Sequence, residues 1–130
     1  MILPVTLTTA AAAAFIALWL MIRIGRLRAV HKVAHGDGGI AIIARRMRAQ
    51  INFIETAPII LTLIAAIELS GKGGQWLMWV SAIYVVGRIL HPLGMDREQT
   101  NALRGAGALI TMLTLVGLAI VAVLVVYGII

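Results

Sequence analysis

Arg48, Asn52 and Glu55 stand at i, i+4 and i+7, a spacing that aligns them on one face of an α-helix, with Arg45 one turn earlier. A cation, an amide and an anion on one stripe can form a polar substrate site, or tie helices together as an Arg–Asn–Glu network. Tyr84, Arg88 and His91 repeat the spacing further along. Arg88 suits a ligand contact or a snorkelling anchor. His91, beside Pro92, suits a ligand contact or a partner for the last carbonyls of its helix. Arg104 opens a later apolar run, where a cation opposes the helix dipole. A charge flanking a membrane span and an anion bound beside it account for this position equally well.

Other candidates carry less. Gly105-Ala106-Gly107 has no preceding strand and is no dinucleotide loop; small residues that let helices approach closely explain it better. His31 and His35 lack the carboxylate or cysteine company of a metal site. The sequence has no cysteine, which excludes disulfides, thiolate metal sites and a protein thiol nucleophile, so any thiol must arrive with a substrate.

The polar residues sit in an unusually apolar chain. Of its 130 residues 62% are hydrophobic and 12% charged, with a mean hydropathy of +1.03. A soluble domain needs far more polar surface, so lipid is the main solvent and the expected fold is all-α, a single four-span membrane domain over 1–130. Hydropathy places the spans at Ile2–Ile22, about Met47–Leu69, about Gln75–His91 and Gly105–Ile130. A span of about 20 residues crosses the hydrocarbon as a helix. Between them lie a basic connector from Arg23 to about Arg46, a glycine-rich turn at 70–74 and a short polar connector at 96–101, with Pro92 and Gly94 closing the third helix. Trp76 and Trp79 suit an interfacial belt. Glu55 thus falls inside a span, where an unshielded carboxylate costs about 3 kcal/mol, and intramembrane ionisable groups point to function by default.

Basic residues set the expected orientation. Positions 23–48 carry Arg23, Arg26, Arg28, Lys32, Arg45, Arg46 and Arg48; positions 88–104 add Arg88, Arg97 and Arg104; the middle turn has only Lys72. This bias predicts connectors one and three in the cytoplasm and both termini outside. It also explains the net charge of +6 without nucleic acid. The first span has no basic residue before it and arginines after it, the flank order of a retained helix and not of a cleaved leader.

The string Arg48-Ala-Gln-Ile-Asn52-Phe-Ile-Glu55-Thr-Ala-Pro58 resembles the second-helix signature of the membrane-associated proteins in eicosanoid and glutathione metabolism. Gly87-Arg88-Ile-Leu-His91 and Leu103-Arg104-Gly105 are similar to later motifs of bacterial members. The resemblance implies a bacterial inner-membrane homotrimer, with glutathione as co-substrate held between protomers near the cytoplasmic helix ends. It implies glutathione contacts from Arg48, Gln50, Asn52, Glu55, Arg88 and His91, with Glu55 pairing with the α-amino group and arginines pairing with the carboxylates. Arg104 matches the arginine assigned to the thiolate in the leukotriene synthase, and a nearby cation favours a thiolate. Thr56 stands where a tyrosine usually follows the glutamate, and His91 replaces the tyrosine-rich end of the third helix. The implied activity is a glutathione-dependent transferase or peroxidase acting on lipophilic electrophiles. The rival readings are a non-catalytic lipid- or glutathione-binding membrane trimer and a small multidrug exporter. The exporter needs a titratable carboxylate that Ile2–Ile22 lacks.

Overall fold

The computed structural model describes residues 2–130; Met1, the first residue of the expected domain, lies outside them. Four helices follow one another: α1 (Pro4–His31), α2 (Ala41–Leu69), α3 (Gln75–Met95) and α4 (Ala102–Val126). All four are long and apolar enough to cross a membrane, and among the described residues there is no strand.

Two boundaries differ from hydropathy. The first connector is much shorter than 23–46, because α1 runs on through Arg23, Arg26 and Arg28 and α2 begins before Arg45, Arg46 and Arg48. Arginine is a good helix former, so hydropathy falls where the chain leaves lipid while the helix continues. At 28 and 29 residues, α1 and α2 extend about 42–44 Å at about 1.5 Å per residue, well past about 30 Å of hydrocarbon. The second difference is Pro92, which lies inside α3 and does not end it. Proline inside a spanning helix is tolerated where neighbouring elements support the freed backbone, and α4 lies against this end of α3.

The α1–α2 connector closes tightly. Lys32 takes a left-handed φ of 56°, and the Val33 N–H returns to the Arg28 carbonyl at 2.9 Å, a helix-ending pattern that satisfies last-turn carbonyls. Arg28 Nε then donates to the Gly36 carbonyl at 2.9 Å.

Every pair of helices is in contact except α1 and α4, which therefore occupy opposite corners of the bundle. One apolar cluster joins Ile60, Ile64, Ile67, Leu77, Tyr84 and Leu118; the other joins Ala13, Ile16, Leu20, Phe53 and Ala57. The outside is equally apolar: Phe15 is 74% exposed and Met112 64%. Thr9, Ser81, Thr111, Thr114, Arg88 and His91 are buried instead. Polar groups inside and large apolar groups outside reverse the pattern of a soluble bundle.

Each end of the bundle carries a polar fastening. At the α2–α3 turn, Glu68 accepts the Val5 N–H at 2.9 Å, the Thr6 N–H at 2.7 Å and the Thr6 hydroxyl at 2.7 Å. The first turn of α1 has no cap of its own, so a carboxylate from another helix satisfies its free N–H groups and complements the dipole. At the basic end, Arg23 of α1 donates to Asp96. Arg46 of α2 binds the same carboxylate through Nε and Nη2 at 3.2 and 3.3 Å. Arg46 Nη1 also reaches the Arg23 carbonyl at 3.1 Å. Asp96 therefore pins α1 and α2 to the end of α3.

Candidate functional site

The second-helix stripe divides. Positions 48, 52 and 55 lie about 60° apart at most on a helix turning about 100° per residue, and the rim of the bundle passes between them. Asn52 turns inward, half-buried, while Arg48 and Glu55 are exposed. No ion pair joins Arg48 to Glu55; among the described residues the ion pairs are Arg23–Asp96, Arg46–Asp96 and Arg45–Glu98. The network that ties helices together is a different one. Arg88 Nη2 donates to Asn52 Oδ1 at 2.9 Å, and Nη1 donates to Thr111 Oγ1 at 2.9 Å. The Thr111 hydroxyl donates onward to the Gly107 carbonyl at 2.8 Å. Arg88 is 0% exposed, and its guanidinium carbon sits 5.6 Å from the Phe53 ring centre. One arginine thereby crosslinks α2, α3 and α4.

On α3 the spacing does what it promised: Tyr84, Arg88 and His91 all face the interior and are buried. His91 packs directly on α4, since a methyl group at Gly107 would lie 2.5 Å from its Cβ. Arg104 stands in the first turn of α4, half-buried, its N–H on the Asn101 side-chain oxygen at 3.1 Å. Gln50 lines a cavity of about 200 Å³ together with Met21, Ile24, Gly25 and Arg28 of α1.

Arg28 and Thr111 are additions that motif reasoning missed. Each had a signal. Met21, Gly25 and Arg28 are spaced i, i+4 and i+7, which extends an apolar face of α1 onto a cation. Gly107, Thr111, Thr114 and Leu118 are the buried residues of α4, a small and polar stripe in an otherwise apolar helix, which marks its protein-facing side.

The arrangement thus has a buried polar frame of Asn52, Arg88, Thr111 and His91. In front of it, toward the outside of the bundle, stand Arg48 and Glu55, with Arg104 in the first turn of α4. Gln50 lies about 160° round α2 from Arg48, on the side that meets Arg28 of α1, so the chain does not bring these two to the Arg48–Glu55 face. Opposite charges without partners on a lipid-crossing helix need protein, water or a ligand beside them.

A four-helix integral membrane protein with a charged site at its basic end is the class that fold and site define. The chain matches the MAPEG family over residues 6–124, and it belongs to that family of membrane-associated proteins in eicosanoid and glutathione metabolism. It is also similar to the inner membrane protein YecN of Escherichia coli strain K12, 31% identical over 74 residues. YecN of strain CFT073 gives the same figures. The aligned stretch covers 56% of this chain and 56% of the relative, so the likeness spans about half of each.

Proposed function

We propose that this protein is a glutathione-dependent membrane transferase or peroxidase acting on lipophilic electrophiles, with its site completed by neighbouring protomers of a homotrimer in a bacterial inner membrane. The observation that carries the reading is the exposure of Arg48 and Glu55 on a spanning helix without ion-pair partners. Glutathione has two carboxylates and one ammonium group, and so matches that pair in charge. Glu55 takes the ammonium and Arg48 takes a carboxylate, while Gln50 and Arg28, together on the α1 side of α2, reach the same glutathione from a neighbouring copy. Asn52, Arg88 and His91 support them from behind: two Arg88 nitrogens, Nη1 and Nη2, are engaged with Thr111 and Asn52, while its buried Nε has no partner among the described residues. A second protomer against this face would also shield the charges from lipid.

In this scheme Arg104 lies beside the thiol and stabilises its anion, raising the nucleophilic fraction at neutral pH. The thiol proton leaves to water, and the sulfur bonds to an electrophilic carbon of a substrate that has partitioned into the bilayer, as that carbon releases its leaving group or as an activated double bond opens and its far carbon takes up a proton from water. Holding both reactants at one helix interface supplies proximity.

A groove of about 300 Å³ between α3 and α4, lined by Trp76, Val80, Ile83, Ile110, Leu113 and Gly117 among others, favours a second reading. There the protein is a non-catalytic trimer that binds a lipid chain. Purified protein in detergent, given glutathione and a chromogenic electrophile, separates the two. The transferase reading expects saturable turnover above the uncatalysed rate. Saturable glutathione binding without turnover, over a panel of electrophiles and hydroperoxides, supports the binding protein instead.

A further inference from the structure

Helix α4 meets the end of α3 backbone against backbone, and this contact fixes where Arg104 sits. A methyl group at Gly94 would overlap the Arg104 main chain, lying 2.7 Å from its Cα and 2.8 Å from its Cβ. One turn further on, a methyl at Gly107 would lie 2.6 Å from the Gly87 carbonyl oxygen and 2.7 Å from the His91 nitrogen. Side chains essentially never come so close, so glycine at 94 and 107 is what permits this approach. Asn101 closes the corner with both ends of its amide. Its oxygen accepts the Arg104 N–H at 3.1 Å, capping α4, and its Nδ2 donates to the Gly94 carbonyl at 2.8 Å. A helix cap needs only the oxygen. The second bond goes across to α3, to the residue that Arg104 packs on.

We infer that Gly94 and Asn101 are positioning residues that hold Arg104 in register with α3, and so with His91 and the buried Arg88 frame. The inference rests on the thiolate role proposed for Arg104. Neither residue touches substrate; both act by fixing the main chain that carries the guanidinium. An acid of the same connector adds to the register, since Asp96, two residues beyond Gly94, is pinned by Arg23 and Arg46.

Asn101→Ser keeps the cap, because serine caps a helix about as well as asparagine, and removes the amide N–H bonds to Gly94 and, within the connector, to the Gln99 carbonyl at 3.2 Å. Gly94→Ala is the second variant: it keeps the Asn101 side chain but sets a methyl against the Arg104 nitrogen that Asn101 caps, so it pushes the first turn of α4 away from α3. The experiment measures bound glutathione by calorimetry and its thiolate by ultraviolet absorbance against pH, in wild type and both variants. Wild type should show thiolate well below the pH at which free glutathione ionises. Each variant should move that midpoint up by about one pH unit, roughly tenfold less thiolate at neutral pH, and lower turnover by ten- to a hundredfold as a displacement near 1 Å does. Glutathione affinity should stay within about threefold, since the α2 contacts are untouched. A midpoint equal to wild type in either folded variant overturns the positioning role and leaves the thiolate role of Arg104 standing. A wild type whose bound glutathione ionises like the free thiol overturns the thiolate reading itself, and this is seen before any variant is made.

Discussion

Arg88 is a full charge inside the bundle held by two neutral oxygens, so the structure depends on both. Thr111→Val keeps the shape of the side chain and removes one acceptor, leaving a buried charged donor unpaired. The expected loss is about 1–3 kcal/mol, measured as a lower unfolding midpoint in detergent; an unchanged midpoint would show that Arg88 finds another partner. Glu55 and Arg104 are exposed to different tests. If Glu55 takes the glutathione ammonium as proposed, Glu55→Gln removes a charge-assisted contact worth about 1.5–3 kcal/mol, and glutathione affinity should fall about ten- to a hundredfold. Arg104→Ala should lower turnover and thiolate formation more than binding, and Arg104→Lys should restore part of both, since charge survives while the planar fork is lost. Equal loss of affinity in the Glu55 and Arg104 variants, with the thiolate unaffected, would make Arg104 a carboxylate clamp. The spacing rule found Arg88, Asn52 and Glu55; Arg104 stood out as a cation opening an apolar run, and Thr111 was missed. It could not tell that Asn52 turns inward while Arg48 and Glu55 remain outside, because a rotation of about 60° decides which side of a packing boundary a residue takes, and the boundary belongs to the neighbouring helices.

The four elements were legible because a lipid-crossing helix must be long and apolar, which leaves an unmistakable run. Their ends were less so. Hydropathy marks where lipid stops, whereas α1 and α2 continue through their arginines, and α3 continues through Pro92. The long-range fastenings were not legible at all: nothing near Glu68 in sequence reveals that it caps α1, 62 residues away. That cap gives a clear expectation. Glu68→Ala should destabilise the protein by about 1–2 kcal/mol, with faster amide exchange confined to the first turn of α1 and no change in glutathione affinity at the opposite end. Slower or unchanged exchange there would mean that the turn is satisfied without Glu68. Asp96→Asn tests the other end. It leaves Arg23 and Arg46 sharing a neutral acceptor and should loosen the α3–α4 connector, seen as faster proteolysis between α3 and α4 with α2–α3 turn cleavage unchanged. Equal cleavage in both proteins would assign the connector's order to Asn101 and the Arg45–Glu98 pair.

Taken whole, the chain is a bundle whose surface is apolar nearly everywhere except along one face of α2 and at its basic end. The ten-to-one distribution of basic residues predicts that this end faces the cytoplasm; a C-terminal reporter should be active only outside it, and activity in the cytoplasm would invert the orientation. Shielding Arg48 and Glu55 is a problem the single chain leaves open, and a second copy with glutathione between is the solution proposed above. Native mass spectrometry of the detergent-solubilised protein, with and without glutathione, tests this most directly. The expected spectrum is a trimer that gains one glutathione per protomer, with Glu55→Gln still trimeric but largely unliganded. A protein that remains monomeric at concentrations well above any plausible dissociation constant, or a trimer that takes up no glutathione, would contradict the account.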